Sequence, residues 1–303
     1  METHSDRHGH HPHHEHHRQQ DRHRHDHEHG HGDGPTGHDE SASADMLDLD
    51  AEMLGSLLDE MTDWVGRHGP DAPKRVADVG AGTGTGTLAL ARRFEAAEIV
   101  AIDRSPALRD RLRAAAQGAG LADRLRVVSA DLDVAWPSVD AVDVAWAASS
   151  MHHVADPDRV LRDIHGALNP GGVLAVVEMD ALPRFLPDDI GVGRPGLETR
   201  CHEAAARAGW NAHPDWRPHL ERAGFEPVAQ RTFTVEASPA PPAARRYARR
   251  QFGAFRVAVE GRLAADDLDV LDLLLADDHP DALANRRDLT LRSSRTVWAA
   301  RRP

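Results

Sequence analysis

Residues 76–86 read "VADVGAGTGTG". Four glycines, Gly80, Gly82, Gly84 and Gly86, alternate behind a short apolar run that holds one carboxylate, Asp78. The preceding "KRVADV" has the make-up of a short buried strand. "TGTLALARRF" behind the glycines places Leu88, Leu90, Ala91 and Phe94 at mixed helical spacing. Strand, glycine-rich turn and helix, in that order, open a nucleotide-type α/β unit. Glycine admits positive φ and lets a ligand approach the backbone. The helix start behind it presents N–H groups to an anion.

Spacing within the turn narrows the ligand. A G-x-G-x-x-G fingerprint counted from Gly80 puts its last place on Thr85, and the shifted match, Gly84, Gly86 and Ala89, falls inside the helix. A P-loop lysine is missing. The pattern is D-x-G-x-G-x-G from Asp78 to Gly84. Asp78 would repel a pyrophosphate, which disfavours a nicotinamide dehydrogenase. S-adenosylmethionine has no phosphate, and its amino-acid end carries an ammonium and a carboxylate. A turn with a carboxylate and bare N–H groups suits that zwitterion.

The following elements agree. "EIVAID" is a second strand ending in Asp103, an acidic residue placed to accept from ribose hydroxyls. Asp103 also fits as a cap of the next helix, a role open equally to Ser105. "LRVVSADL" is a third strand ending near Asp131, which either accepts from an adenine amino group or shapes an ordinary turn. "VDVAWAASSMHHV" is a fourth strand with its loop, "DPDRVLRDIHGAL" a helix with Pro157 in its first turn, and "VLAVVEM" a fifth strand. Five β–α units with short connections imply a parallel, doubly wound sheet.

The ordered motifs "VADVGAGTG", "AID", "SADL" and "SSMHHVADPDRVLRDIHGALNPGGVLAVVE" resemble class I S-adenosylmethionine-dependent methyltransferases, the bacterial small-molecule type near the ubiquinone/menaquinone C-methyltransferases. The resemblance covers roughly residues 46–180. It implies a Rossmann-like α/β fold with a seven-stranded, mostly parallel sheet and an antiparallel last strand. It further implies that Asp78, Gly80, Ala81, Gly82 and Gly84 hold the methionine end of the cofactor, Asp103 with Arg104 the ribose, and Asp131 with Leu132 the adenine. Ala147 would line the methyl-donor side. The implied partner is a small-molecule acceptor.

Outward from this core the chain changes twice. Residues 1–45 hold 14 of the 22 histidines and few apolar side chains, which reads as a disordered, His-rich leader able to bind metal weakly. The methyltransferase domain is expected over 46–303. Met46, Leu49, Met53, Leu57, Met61 and Trp64 recur at helical spacing, with Asp45, Asp48 and Asp50 at the expected helix start. That helix packs on the core or covers a ligand cleft. Toward the C-terminus, "HPDWRPHLERAGFEPVAQRTFTV" reads as a helix and a sixth strand, and "LTLRSSRTVWAA" as the last strand. Between them, residues 238–286 form a helical insertion, read as a cap over the substrate pocket. Its basic stretch, Arg245, Arg246, Arg249 and Arg250, reads as a solvated face or a contact for an anionic partner.

Composition sets exclusions. One cysteine, Cys201, excludes an internal disulfide and a Cys-only metal site, and suits a reducing cytoplasm. A formal charge of −13 argues against nonspecific nucleic-acid binding. No apolar run reaches the roughly 20 residues that span a bilayer. Two alternatives to an enzyme stand: a noncatalytic S-adenosylmethionine-binding regulator, and a metal-handling protein acting through the leader. In the loop after the fourth strand, His152 and His153 are candidate bases, with His152, nearer the strand end, the better placed.

Overall fold

The computed structural model describes residues 37–303. The expected His-rich leader lies outside the described residues as far as residue 36. Its last part does not. Helix α1 runs Gly37–Gly66, so the helix begins before Met46. Asp45, Asp48 and Asp50 therefore lie inside the helix and not at its N-terminus. Their charges meet cations and not the helix dipole: Asp45 and Asp48 pair with Arg111, and Asp50 with Arg295.

Strand β1 (Arg75–Val79), helix α2 (Thr85–Arg93) and strand β2 (Glu98–Asp103) follow as the glycine turn requires. Helix α3 (Pro106–Gly118) is capped by Ser105, whose hydroxyl accepts from the Leu108 N–H. Strand β3 (Leu125–Ser129), strand β4 (Val142–Ala148), helix α4 (Pro157–Ala167) and strand β5 (Leu168–Arg184) complete the parallel part. Asp156 caps α4, accepting from the Arg159 N–H, with Pro157 in the first turn. Beyond lie α5 (Leu197–Arg207), α6 (Trp216–Arg222), β6 (Glu226–Ala237), α7 (Pro242–Ala258), α8 (Ala265–Leu275) and β7 (Leu291–Arg301). Helix α5 was not anticipated; its apolar face is short and alanine-rich.

The seven strands order as β3-β2-β1-β4-β5-β7-β6, and β7 runs antiparallel to both neighbours. Strand order reverses between β1 and β4, which are parallel neighbours. That reversal opens a crevice at the carboxyl edge of the sheet. Side-chain alternation divides the core into two faces. Val76, Ile99, Val144, Trp146 and Val177 face α1, α2 and α7. Ala77, Val100, Ala145, Ala147 and Val176 face α4 and α6, where Leu161, Ile164 and Trp216 are buried. The sheet is thus covered on both sides, as a parallel sheet must be.

The insertion is anchored within the fold. Tyr247, Phe252 and Phe255 of α7 and Leu271 and Leu274 of α8 are buried in the same core as α1. Asp267 of α8 accepts from Arg194 and Arg200, tying α8 to the segment before β6.

Candidate functional site

The crevice between β1 and β4 opens into a cavity of about 710 Å³. Its floor is the glycine turn. Gly80 has φ +76°, and a Cβ there would stand 2.5 Å from Ser150 Cβ. Gly86 faces a second constraint: a Cβ would meet Asp78 Oδ2 and Trp146 Nε1, each at 3.1 Å. The alternating glycines therefore keep backbone where side chains would close the crevice.

Asp78 is buried at this floor. Its Oδ2 accepts from the Thr87 hydroxyl at 2.6 Å, so the carboxylate also braces the first turn of α2. Burial raises its pKa to about 7, reinforced by the nearby Asp103 charge and opposed by hydrogen bonds from Thr87. No cationic side chain contributes to this balance. A cation seated in the cavity would restore the charged carboxylate, which the ammonium of S-adenosylmethionine fits.

The bare-amide reading of the turn needs correction. The Gly80 and Ala81 N–H groups donate to Ile102 O at 2.9 and 3.0 Å, and Gly84 N–H donates to Ala81 O at 3.0 Å. Gly82 N–H donates to Asp103 Oδ2 at 2.8 Å. These bonds hold the turn's shape. The polar surface offered to an anion is the start of α2, where Thr85 and Gly86 line the cavity.

Asp103, at the end of β2, also lines the cavity, with Arg104 beside it. Its second oxygen, Oδ1, accepts from Ser105 N–H at 2.8 Å. Each oxygen of a carboxylate has two acceptor positions, so one on each remains for a diol. The cap of α3 falls to Ser105, and Asp103 orients the turn while lining the cavity.

Asp131 and Leu132 line the next part of the wall. Asp131 Oδ1 accepts from the Asp133 N–H at 3.0 Å, the turn role weighed for it. Leu132 O accepts from Arg159 of α4.

Ala147 does not line the cavity. Its side chain belongs to the core face against α4 and α6, while Trp146 and Ala148, of opposite phase, face the cavity. The period-two alternation of β4 therefore moves this position to Ala148, followed by Ser149.

The two histidines occupy a short 3₁₀ turn, Met151–His153. His152 Nδ1 donates to buried Glu178 Oε2 at 2.9 Å and is not part of the cavity wall. His153 is part of it. The rings lie 4.0 Å apart. Partial burial, followed by the neighbouring His152, lowers the His153 pKa. The neutral ring is a proton acceptor, so the better placed histidine is His153 and not His152.

The roof comes from α1, where Met46, Leu54, Leu58 and Met61 line the cavity. No residue of 238–286 lines it. The insertion instead backs α1: Arg250 pairs with Asp45 at 2.8 Å and Arg246 approaches Glu52 at 3.6 Å. Its other arginines are paired at the surface. Arg249 pairs with Asp277, and Arg245 donates to Arg286 O. The cap over the cavity is therefore α1, because the apolar faces of α7 and α8 are used in the core. Sequence reasoning also missed Asp50 and Arg295, which line the cavity as an ion pair from opposite ends of the described chain.

Among the described residues, no group of three or more His, Cys, Asp or Glu is arranged to hold a metal. Nor is any described helix long and apolar enough to cross a membrane. Cys201 is buried, and burial pushes its thiol up to about 12.

Comparison with known proteins agrees with this geometry. Residues 76–172 match the family described as the methyltransferase domain. A trans-aconitate 2-methyltransferase of Methylobacterium radiotolerans is 35% identical over 112 residues, covering 37% of this chain and 40% of its own. The methyltransferase GfsG of Streptomyces halstedii is 32% identical over 176 residues, covering 57% of this chain and 60% of its own. A demethylmenaquinone methyltransferase of Thermus thermophilus is 35% identical over 114 residues, covering 37% of this chain and 50% of its own. The chain thus spans about half the length of the curated relatives it matches. Fold, crevice and motif order define a class I S-adenosylmethionine-dependent methyltransferase domain. Over residues 76–172 the chain carries a methyltransferase domain, and there it is similar to curated bacterial methyltransferases.

Proposed function

We propose that this chain moves a methyl group from S-adenosylmethionine to a small-molecule acceptor by in-line displacement. The observation that carries the reading is Asp78, a buried carboxylate facing the cavity beside a glycine turn, with no cationic side chain to balance it. When bound, the cofactor supplies an electrophilic sulfonium methyl. In this reading the methyltransferase domain starts within α1, Asp78 receives the ammonium, the start of α2 faces the carboxylate, and Gly80, Ala81, Gly82 and Gly84 shape the floor. Asp103 and Arg104 meet the ribose, and Asp131 and Leu132 the adenine.

The protein's own contribution is mostly placement. Holding acceptor and methyl in contact, beneath α1 and away from water, supplies much of the acceleration. For an acceptor atom that carries a proton, His153 takes it on a ring nitrogen, while His152 is held back by Glu178 and orients the loop. The test is calorimetry of the full chain with S-adenosylhomocysteine and, separately, NAD. Saturable binding of S-adenosylhomocysteine with none of NAD is expected; the reverse would overturn the reading.

A further inference from the structure

The cavity has a second half whose chemistry the cofactor does not use. Away from the glycine turn, its wall is Met46, Leu54, Leu58, Met61 and Val177, all apolar, with one ion pair among them. Arg295 of β7 is 5% exposed. Its Nη2 donates to both oxygens of Asp50, at 2.8 and 2.7 Å. Its Nη1 is buried without a hydrogen-bond partner. Nη1 is a donor. A buried donor left unmade carries a desolvation cost that an oxygen acceptor recovers.

Charge decides what kind of oxygen. Asp50 already neutralises Arg295. The remaining acidic groups around the cavity are Asp78, Asp103, Asp131 and Asp133 against Arg104, all on the cofactor's side of the wall. No uncompensated cation faces the apolar half. A carboxylate acceptor would be desolvated there against a neutral pair, which is unfavourable. An uncharged oxygen is not penalised in this way.

We propose, resting on the methyltransferase reading, that the acceptor is an uncharged, largely apolar molecule anchored beneath α1 by a hydroxyl or carbonyl oxygen that accepts from Arg295 Nη1. Arg295 is thereby a specificity-determining residue, and Asp50 sets the charge class by cancelling the guanidinium.

The probes are 2-naphthol, naphthalene and 2-naphthoate, titrated calorimetrically into the full chain saturated with S-adenosylhomocysteine. The wild type is expected to bind 2-naphthol about tenfold more tightly than either naphthalene or 2-naphthoate, the worth of one buried hydrogen bond. Arg295→Leu should bring 2-naphthol down to the naphthalene level with S-adenosylhomocysteine affinity kept. Asp50→Asn, which preserves the shape of the pair, should raise 2-naphthoate affinity by about tenfold, because the guanidinium is no longer cancelled. It gives an independent reading should Arg295→Leu not fold. A wild-type preference for 2-naphthoate, binding of none of the three probes, or an Asp50→Asn variant with unchanged 2-naphthoate affinity overturns the proposal. Loss of S-adenosylhomocysteine binding by the wild type instead overturns the methyltransferase reading on which it rests.

Discussion

The two walls of the cavity are built on different plans. On the side of the glycine turn, the polar groups are tied to partners no more than 21 residues away: Asp78 to Thr87, Asp103 to Gly82 and Ser105, Asp131 to Asp133. Under α1, the wall is apolar, and its one ion pair joins Asp50 to Arg295 across almost the whole described chain. A wall of the first kind recognises a fixed ligand with many polar atoms. A wall of the second kind is shaped by packing, so its specificity rests on a few donors and on the contour of α1. In the proposed reading the first is the cofactor's wall, set by local backbone, and the second the acceptor's, set by tertiary assembly.

The largest expected effect tests whether any side chain takes part in the chemistry between those walls. His153→Ala should lower kcat by roughly 10²–10⁴ once an acceptor is in hand, with cofactor affinity kept. His152→Ala should stay within about tenfold. Because the His153 pKa is lowered, its base form persists to more acidic pH than an ordinary histidine, so the acid limb of the pH–rate profile lies below pH ~6.5. An unchanged limb in His153→Ala would leave placement alone as the mechanism.

The cofactor wall breaks first at its backbone. Gly80→Ala requires a Cβ at positive φ and 2.5 Å from Ser150 Cβ. Strain and collision together should weaken S-adenosylhomocysteine binding by roughly 100-fold, about 2–3 kcal/mol, read by calorimetry. Affinity within twofold of wild type would show that the turn is not the floor of the site. Next comes Asp103→Ala. Losing a charged acceptor should cost about 1–3 kcal/mol of cofactor affinity in the same assay. Loss of the Gly82 N–H bond to Asp103 should also lower the melting temperature.

Much of this wall was legible in the sequence because its requirements are local. Positive φ at Gly80, a strand-end acid at Asp103 and a helix behind the turn each follow from residues within one β–α unit. The amide pattern was not legible: which N–H groups remain for a ligand depends on Ile102 O and Asp103, one strand away. Ala147 was misplaced for a related reason. Composition locates the end of a strand, yet a one-residue error in phase moves a side chain to the opposite face. The acceptor wall was hidden more deeply. Nothing near Arg295 in "LRSSRTVWAA" announces Asp50 as its partner. The leucines and methionines of α1 read equally as core and as roof, and serve as both. The insertion over 238–286 was found as helices, but its place behind α1 is set by burial of Tyr247, Phe252 and Phe255, which no local pattern reveals.

The smallest expected effect sharpens the contrast from outside both walls. Arg249 and Asp277 form an exposed ion pair on the insertion. Arg249→Ala should shift the melting temperature by no more than about 2–4 °C and leave cofactor affinity unchanged. A substantial loss of affinity would bring the insertion into the site, against the geometry.

The central claim is that burial holds the Asp78 carboxyl protonated in mild acid until a cation sits beside it. Burial raises its pKa to about 7, so in the free protein at pH 6 it holds a proton. Binding the ammonium of the cofactor favours the ionised form, lowers the pKa and expels that proton. The direct measurement is calorimetry of S-adenosylhomocysteine binding at pH 6 and pH 8 in buffers of different ionisation enthalpy. Release of nearly one proton at pH 6 is expected, falling toward zero at pH 8. Affinity should be weaker at pH 6 by roughly tenfold, and Asp78→Asn should abolish both dependences. Equal affinity at the two pH values with no proton released by the wild type would contradict the account.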